Sequence, residues 1–416
     1  MDPSATITAL QRQLDATLHE ADADLAARYP GDRTDRQPIH TVYVPADRVS
    51  SDLPRAWGDE ALRLLADYAP DAAHLAAALG EPVADIEPIY PLIAAKLQRE
   101  PIEDLRIDFE DGYGRRPDAV EDADLERCLS AYADQRAEGI RPPWWGIRFK
   151  SFEAPTRDRG IATLVGFLAG VVDNGQVPTG LTLTLPKVTS VPQVSAMADA
   201  LDALEEALGA PAGSIGFEVQ VETAQAIMAP DGTAAVAAMV HAGRGRVTSL
   251  HYGTFDYSAG LGIAAAYQSL DHPVADHAKN VMQVAAAQTG VRLSDGSTNV
   301  VAFGTAEQAF ATWRLHAGLV QRSLMRGIYQ GWDMAPGHLV SRYAATYLFF
   351  RRAFDPACAR LAAYVQRIEG DVMDEPATAR MLSSALLRGI ACGAFSQDDV
   401  TSKTGLDEAA LTGLTR

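Results

Sequence analysis

The chain has 416 residues, of which 47% are hydrophobic and 22% charged, and its formal net charge is −18. That composition excludes a disordered chain and is ample for one large barrel or for two to three domains of roughly 150 residues each. The acidic balance repels phosphate backbones and anionic bilayers, so neither nucleic acid nor a membrane surface is an expected partner.

The three cysteines, Cys128, Cys358 and Cys392, show no CxxC spacing and no metal-ligand pattern. They read as free, buried thiols in a reducing compartment. The N-terminus is polar and acidic, without a signal-peptide pattern. No apolar stretch reaches the ~18 residues of a membrane span without a charge or a turn signal. A cytoplasmic protein is the expectation.

Ile7, Leu10, Leu14, Leu18 and Leu25 recur at helical spacing, which predicts an amphipathic helix ending near Tyr29–Asp32. Residues 1–36 form this N-terminal helical segment, a packing or subunit element. Short apolar runs then alternate with helical stretches. Strands are expected at Thr41–Arg48 with its exit loop, Leu105–Asp111, Trp144–Lys150, Leu181–Val188 and Ser214–Thr223, then at Val247–Asp256, Thr298–Gly304 and Tyr329–Asp333. Helical pattern fills much of Trp57–Arg99, then Ala119–Glu138, Ile161–Asp173, Val191–Leu208, Ala234–His241, His277–Gly290 and Glu307–Gly327.

Strands separated by helices point to an α/β fold with a parallel sheet. About eight strands suit a (β/α)8 TIM-type barrel over residues 37–336, with an open doubly wound sheet as the competitor. No GxGxxG follows the first strand, so the dinucleotide-binding form of the open sheet loses support. Residues 337–416 are helical in pattern and read as a C-terminal extension.

Chemistry in a parallel barrel sits at the C-terminal ends of the strands. The polar residues falling there are Asp108, Glu110 and Asp111, then Arg148 and Lys150, Lys187, Glu222 and Asp256. Each has a plain alternative. The acids of "LRIDFEDGYG" suit a solvated turn as well as a cation or substrate site. Glu222 suits a helix N-terminus, where the dipole favours a carboxylate by about 0.3–1 kcal/mol. Asp256 suits an N-cap or Asx turn. Arg148 offers a fork to a ligand carboxylate or an interior ion pair to an acid such as Asp108. Lys187 suits a loop start. Carboxylates on adjacent strands, as at Glu222 and Asp256, can share a hard cation. Mg2+ takes one or two carboxylates plus waters, and fits better than zinc because no His/Cys cluster accompanies the pair. His40, His251 and His338 are loose histidines; His251 reads as a core residue facing the barrel interior, and the general base is left open between His40 and a C-terminal acid such as Asp355.

The ordered set "VYVPADR", "IDFEDG", "IRFK", "LPKV", "VETA" and "YGTFDYSAGLG" resembles the HpcH/HpaI aldolase–citrate lyase beta-subunit family over Thr41–Pro336. "IDFED" and "TFDY" are also similar to malate synthases. The helical C-terminus and the long segment between the first two strands mark a divergent branch. The resemblance implies a metal-dependent barrel enzyme that makes or breaks a C–C bond beside a carbonyl. It implies Glu222 and Asp256 as ligands of Mg2+ (or Mn2+), and Arg148 on the carboxylate or enolate oxygen of a 2-oxo acid. Asp108, Glu110 and Asp111 would lie behind the metal and hold its waters, with Lys187 near the same pocket. Gly253, Thr254, Phe255 and the "SAGLG" loop would present backbone N–H groups to substrate, and Asp295–Gly296 match a neighbouring loop.

Where citrate lyase-like members carry His-Pro after the last strand, this chain has Ala335-Pro336, and no coenzyme A site is legible. The expected activity is a Mg-dependent lyase or aldolase acting on a small 2-oxo or 3-hydroxy carboxylic acid, with Arg148, Glu110, Asp111 and Lys187 as catalytic residues. A Schiff base on Lys187 is the rival route. The alternatives are a malate synthase-like acyl-CoA/glyoxylate condensing enzyme and a non-catalytic metabolite-binding barrel or scaffold subunit. A homo-oligomer is expected.

Overall fold

The computed structural model describes residues 3–366 and 375–415. Eight strands form one sheet: β1 (His40–Pro45), β2 (Asp104–Asp108), β3 (Trp144–Arg148), β4 (Leu181–Leu185), β5 (Phe217–Val221), β6 (Val247–Tyr252), β7 (Arg292–Ser294) and β8 (Gly331–Asp333). The order is β7-β6-β5-β4-β3-β2-β1-β8, and every ladder is parallel. A parallel bridge from Ser294 to Gln330 brings the two edges together, so the sheet curls into a nearly closed (β/α)8 barrel.

Period-two alternation sorts each strand between two environments. Leu105 and Ile107 of β2, Leu183 and Leu185 of β4, and Val219 and Val221 of β5 are buried in the main apolar cluster, between the sheet and its helices. The intervening polar residues face the barrel interior. Arg106 of β2 reaches Glu218 of β5 at 3.0 Å, past two intervening strands, and also binds Asp104 at 2.8 Å. Glu218 accepts from Thr184 at 2.5 Å and lies 2.9 Å from His251 Nε2. Buried charges are tolerable when paired and hydrogen-bonded in this way.

None of the eight strands keeps the expected bounds, and two depart in substance. The seventh strand is Arg292–Ser294, while Thr298–Gly304 has no regular structure. Val300 and Val301 are adjacent and both exposed, while Phe303 alone packs on Trp313 and His338 of the neighbouring helices, so the run lacks the alternating burial of a strand. It serves instead as the lead into helix Ala306–Met325, which Thr305 caps. The sixth strand stops at Tyr252, and Thr254–Gly260 is a short helix, which puts Asp256 in a helical first turn.

Helix Pro336–Gln366 follows β8 and packs against Ala306–Met325 and Leu53–Tyr68, the place of the barrel's eighth helix. Helix Pro376–Cys392 packs on it in turn. The expected C-terminal extension includes residues 367–374 and 416, and the N-terminal segment residues 1–2, all outside the described residues. Helix Pro3–Arg28 buries none of its residues. Cys128, Cys358 and Cys392 are free and buried. Among the described residues no helix is long and apolar enough to cross a membrane.

Candidate active site

Asp108 closes β2, level with Pro45 of β1 and Arg148 of β3. Its carboxylate accepts from Arg148 Nε and Nη2, both at 2.7 Å, and from the Glu110 and Gly112 amides at 2.9 and 2.8 Å. One side chain therefore fixes the arginine fork and folds the loop that carries Glu110 and Asp111. The interior ion pair of Arg148 with Asp108, the alternative reading of that arginine, is formed. The third nitrogen, Nη1, points on to Gln220 at 3.3 Å and Glu110 at 3.6 Å, while the guanidinium lies 5.0 Å over Tyr43 and 5.5 Å over Trp332.

Glu222 follows β5 and is 2% exposed. Its Oε1 accepts from the Lys187 amide and its Oε2 from Gln220 Nε2, both at 2.7 Å. A Cβ at Gly253 would stand 2.5 Å from Glu222 Cβ, so only glycine leaves this carboxylate room. Lys187 has φ +49, in the left-handed region that side chains rarely adopt. Its ammonium lies 2.7 Å from Asp111, 3.1 Å from Asp256 and 3.5 Å from Glu110.

Charge balance at this mouth is uneven. Five carboxylates, Asp108, Glu110, Asp111, Glu222 and Asp256, meet two cations, Arg148 and Lys187. Burial pushes Glu222 up to about 8, with Asp256 and Glu110 adding to the rise against the pull of Lys187 and Arg148. Burial and the Asp111 charge push Glu110 up to about 7. Burial would raise Asp111 too, but the Lys187 hydrogen bond and charge outweigh it and hold it below the usual range. The donors are all hard oxygens, two of the carboxyls are held toward the neutral form for want of a further positive charge, and Gly253 keeps the space open. These features fit a divalent oxygen-liganded cation such as Mg2+.

Other sequence candidates are engaged within the fold. The Gly253 amide donates to Val221 O at 2.9 Å and is not free for a substrate. Thr254 is buried with its hydroxyl on Ser297 O, and Phe255 and Asp256 continue that first helical turn. Lys150 binds Phe109 O and Glu121, pinning helix Asp118–Ala137. Asp295 pairs with Lys279 and Ser323, away from the acid loop. Pro336, of the Ala335-Pro336 pair, opens helix Pro336–Gln366.

His40 is not placed to act as a base. It begins β1, five residues before Pro45, or about 16 Å along the strand from the acids. Its Nε2 accepts from the Glu103 amide at 3.0 Å, and its Nδ1 lies 2.9 Å from Asp333. Among the described residues, His316, Asp333 and His338 form the one compact His/Asp group with ligand-like spacing. Its donors are already taken. Asp333 binds Arg342, His316 and His40, and His338 uses Nε2 on Val300 O and Nδ1 on the Met334 amide.

Sequence reasoning missed Gln220, Tyr43 and Trp332. Gln220 was reachable, since it precedes Glu222 by two residues on one strand face; the aromatic pair needed the closed barrel.

Strand-end acids around an arginine and a lysine, at the C-terminal mouth of a closed parallel sheet, define a (β/α)8 barrel with an oxygen-rich polar site. The chain belongs to the family of the domain of unknown function DUF6986, whose model matches residues 18–416. No curated protein matches it. Its structural neighbours are citrate lyases, an HpcH/HpaI aldolase/citrate lyase family protein and malate synthases. A citrate lyase from Burkholderia xenovorans LB400 aligns with TM-score 0.57 and 19% identity over 88% of this chain and 96% of that one. The protein CitE from Mycobacterium tuberculosis, solved with magnesium, acetoacetate and coenzyme A, gives 0.49 and 16% over 87% and 100%. A malate synthase from Haloferax volcanii gives 0.48 and 13% over 93% and 99%. At these identities the likeness is one of fold.

Proposed function

We propose that this chain is a divalent-metal-dependent carbon–carbon lyase or aldolase acting on a small 2-oxo or 3-hydroxy carboxylic acid. The observation that carries this reading is the excess of carboxylates over cations at the barrel mouth, with Glu222 pushed up to about 8 by burial. Glu222 and Asp256 would hold the Mg2+ or Mn2+, with Glu110 and Asp111 beside them. When bound, such an ion supplies Lewis-acid stabilisation of negative charge on a carbonyl or carboxylate oxygen.

The chain's own groups do the rest. Asp108 holds the Arg148 fork rigid, so Nη1 is a preorganised donor for a substrate oxygen on which charge develops. Tyr43 and Trp332 cover the guanidinium and limit its hydration. Lys187 keeps Asp111 ionised and ties the loops after β2 and β6 together. A Schiff base on Lys187 would need a neutral amine, whereas its carboxylate neighbours hold the ammonium above the usual lysine range.

The test is a screen of 2-oxo acids with candidate aldehydes, read as pyruvate or glyoxylate release, with thiol release from acetyl-CoA as the arm for a condensing enzyme. Full activity in excess EDTA overturns the metal requirement. Glu222→Gln and Asp256→Asn are expected to abolish Mg2+ binding by calorimetry while leaving the circular dichroism spectrum unchanged; unaltered affinity in both overturns the ligand assignment.

A cytoplasmic homo-oligomer completes the reading. Helix Pro3–Arg28 leaves Ile7, Leu10, Leu14, Leu18 and Leu25 between 46% and 59% exposed on one face. A second copy lying antiparallel about Ala16 would set Ile7 against Leu25 and Leu14 against Leu18.

A further inference from the structure

A polar cavity lies at the end of the barrel opposite the acid-lined mouth, where the chain enters its strands. Arg292 begins β7, Gln37 precedes β1 by three residues and Tyr329 precedes β8 by two. These three, with Arg33 and with Arg388 from helix Pro376–Cys392, border a space of about 190 Å3. An adjoining space of about 200 Å3 shares Arg33, Gln37, Tyr329 and Arg388 and extends to Arg380 and Ser384.

The arginines here outnumber the acids that touch them. Arg33 and Arg292 share one carboxylate, Asp35, at 2.6 and 2.8 Å. Arg292 is 13% exposed and otherwise donates to the carbonyls of Asp35 and Arg36. Arg388 is half-buried, and among the described residues no carboxylate lies within ion-pair distance of it. Its guanidinium rests 4.2 Å over the Tyr329 ring and gives one hydrogen bond, to Gln37 Oε1 at 3.2 Å. The rim acids Asp32 and Glu408 are exposed. Burial, with Arg33 and Arg388 close by, pushes Arg292 down to about 10.

Such crowding stands out in a chain of net charge −18. A desolvated guanidinium without an acid is unfavourable unless an anion completes it. Arginine's planar fork matches the oxygens of phosphate and carboxylate groups, and an aromatic wall keeps its donors in plane.

We propose that the Arg33–Arg292–Arg388 cavity is a binding site for a small oxyanion-bearing metabolite, phosphate or carboxylate, separate from the acid-lined mouth at the other end of the barrel. The site grips the anion between the barrel floor and helix Pro376–Cys392, so occupancy ties the C-terminal helices to the barrel.

The experiment is calorimetric titration of the full chain, without divalent metal and at low ionic strength, with inorganic phosphate in one arm and succinate in the other. Saturable binding of at least one anion is expected, and the stronger arm identifies the oxyanion class. Arg388→Met keeps the stem on Tyr329 and removes the charge; it should weaken binding at least tenfold. Arg33→Met, at a more exposed side chain, should weaken it several-fold and serves if the first variant is unstable. Arg55→Met, at another exposed arginine, should leave affinity unchanged. No saturable binding of either anion overturns the proposal. So does affinity that survives both Arg388→Met and Arg33→Met, or binding that is lost only when Arg148 at the other mouth is replaced.

Discussion

The backbone amide of Lys187 donates to Glu222 Oε1 at 2.7 Å. The left-handed turn at Lys187, φ +49, aims this amide and the side-chain ammonium at the same acid group. A non-glycine residue held in that region costs on the order of 1–3 kcal/mol and persists only where its surroundings over-determine it. Here they do: the amide seats a buried carboxylate, and the ammonium offsets its neighbours. Lys187→Met should therefore lower the melting temperature of the metal-free protein and tighten Mg2+ binding, since Glu110, Asp111 and Asp256 lose their internal cation. Equal or weaker Mg2+ affinity by calorimetry would reject the counter-ion role.

Asp108 takes four donors, two of them from Arg148. Asp108→Asn leaves a buried guanidinium without its charge partner, a change that typically destabilises by about 3–5 kcal/mol. Urea unfolding measures it, and a loss below about 1 kcal/mol would show that the pair is not what holds the loop.

Gly253→Ala drives a methyl to 2.5 Å from Glu222 Cβ. Overpacking of this kind costs about 1–3 kcal/mol. The expected outcome is a folded protein with Mg2+ affinity reduced at least tenfold, read by calorimetry. Wild-type affinity would mean that Glu222 has room to shift and does not bind the ion.

Acid should unfold the protein through two carboxylates far from the mouth. Burial would raise Glu103, but Lys96 and Arg36 outweigh it and hold it at about 2. Glu205 is held at about 2 against its burial by Arg246 and by the Ile215 and Gly213 amides. Both folded values lie below the ordinary 4.5, so their stabilisation is complete above that pH and is lost as pH falls toward 2. Thermal unfolding followed from pH 6 to pH 2 should show this decline, and Glu103→Gln should shallow it. A flat profile across the window would contradict both assignments.

Leu14→Glu combined with Leu18→Glu should convert a multimer to a monomer in light scattering, with melting temperature little changed because helix Pro3–Arg28 buries nothing within its own chain. A wild-type protein already monomeric at micromolar concentration would remove the apolar stripe as a self-association surface.

Much of this was legible before folding was considered. "LRIDFED" shows its alternation in one dimension, and the order of the strand-end motifs carried the barrel. The reading of Thr298–Gly304 as a strand failed because two adjacent valines resemble a buried strand locally, while only the helices show that nothing covers them. His40 as a base failed for a related reason: the sequence places it near a strand but does not say which end of the barrel that position occupies.

Neighbours a few residues apart set the alternation of strands such as β2, the α/β class and the identity of the charged residues at the strand ends, and these were readable along the chain. Tertiary structure decided which charges meet. Lys187 and Asp111 are 76 residues apart, Arg148 and Gln220 are 72, and Arg292 and Arg388 approach only when the C-terminal helices fold under the barrel. Electrostatic energy depends on distance and burial in three dimensions. The acids of "LRIDFEDGYG" thus became a hub that grips Arg148 and an excess of charge facing Lys187 only once the sheet had closed.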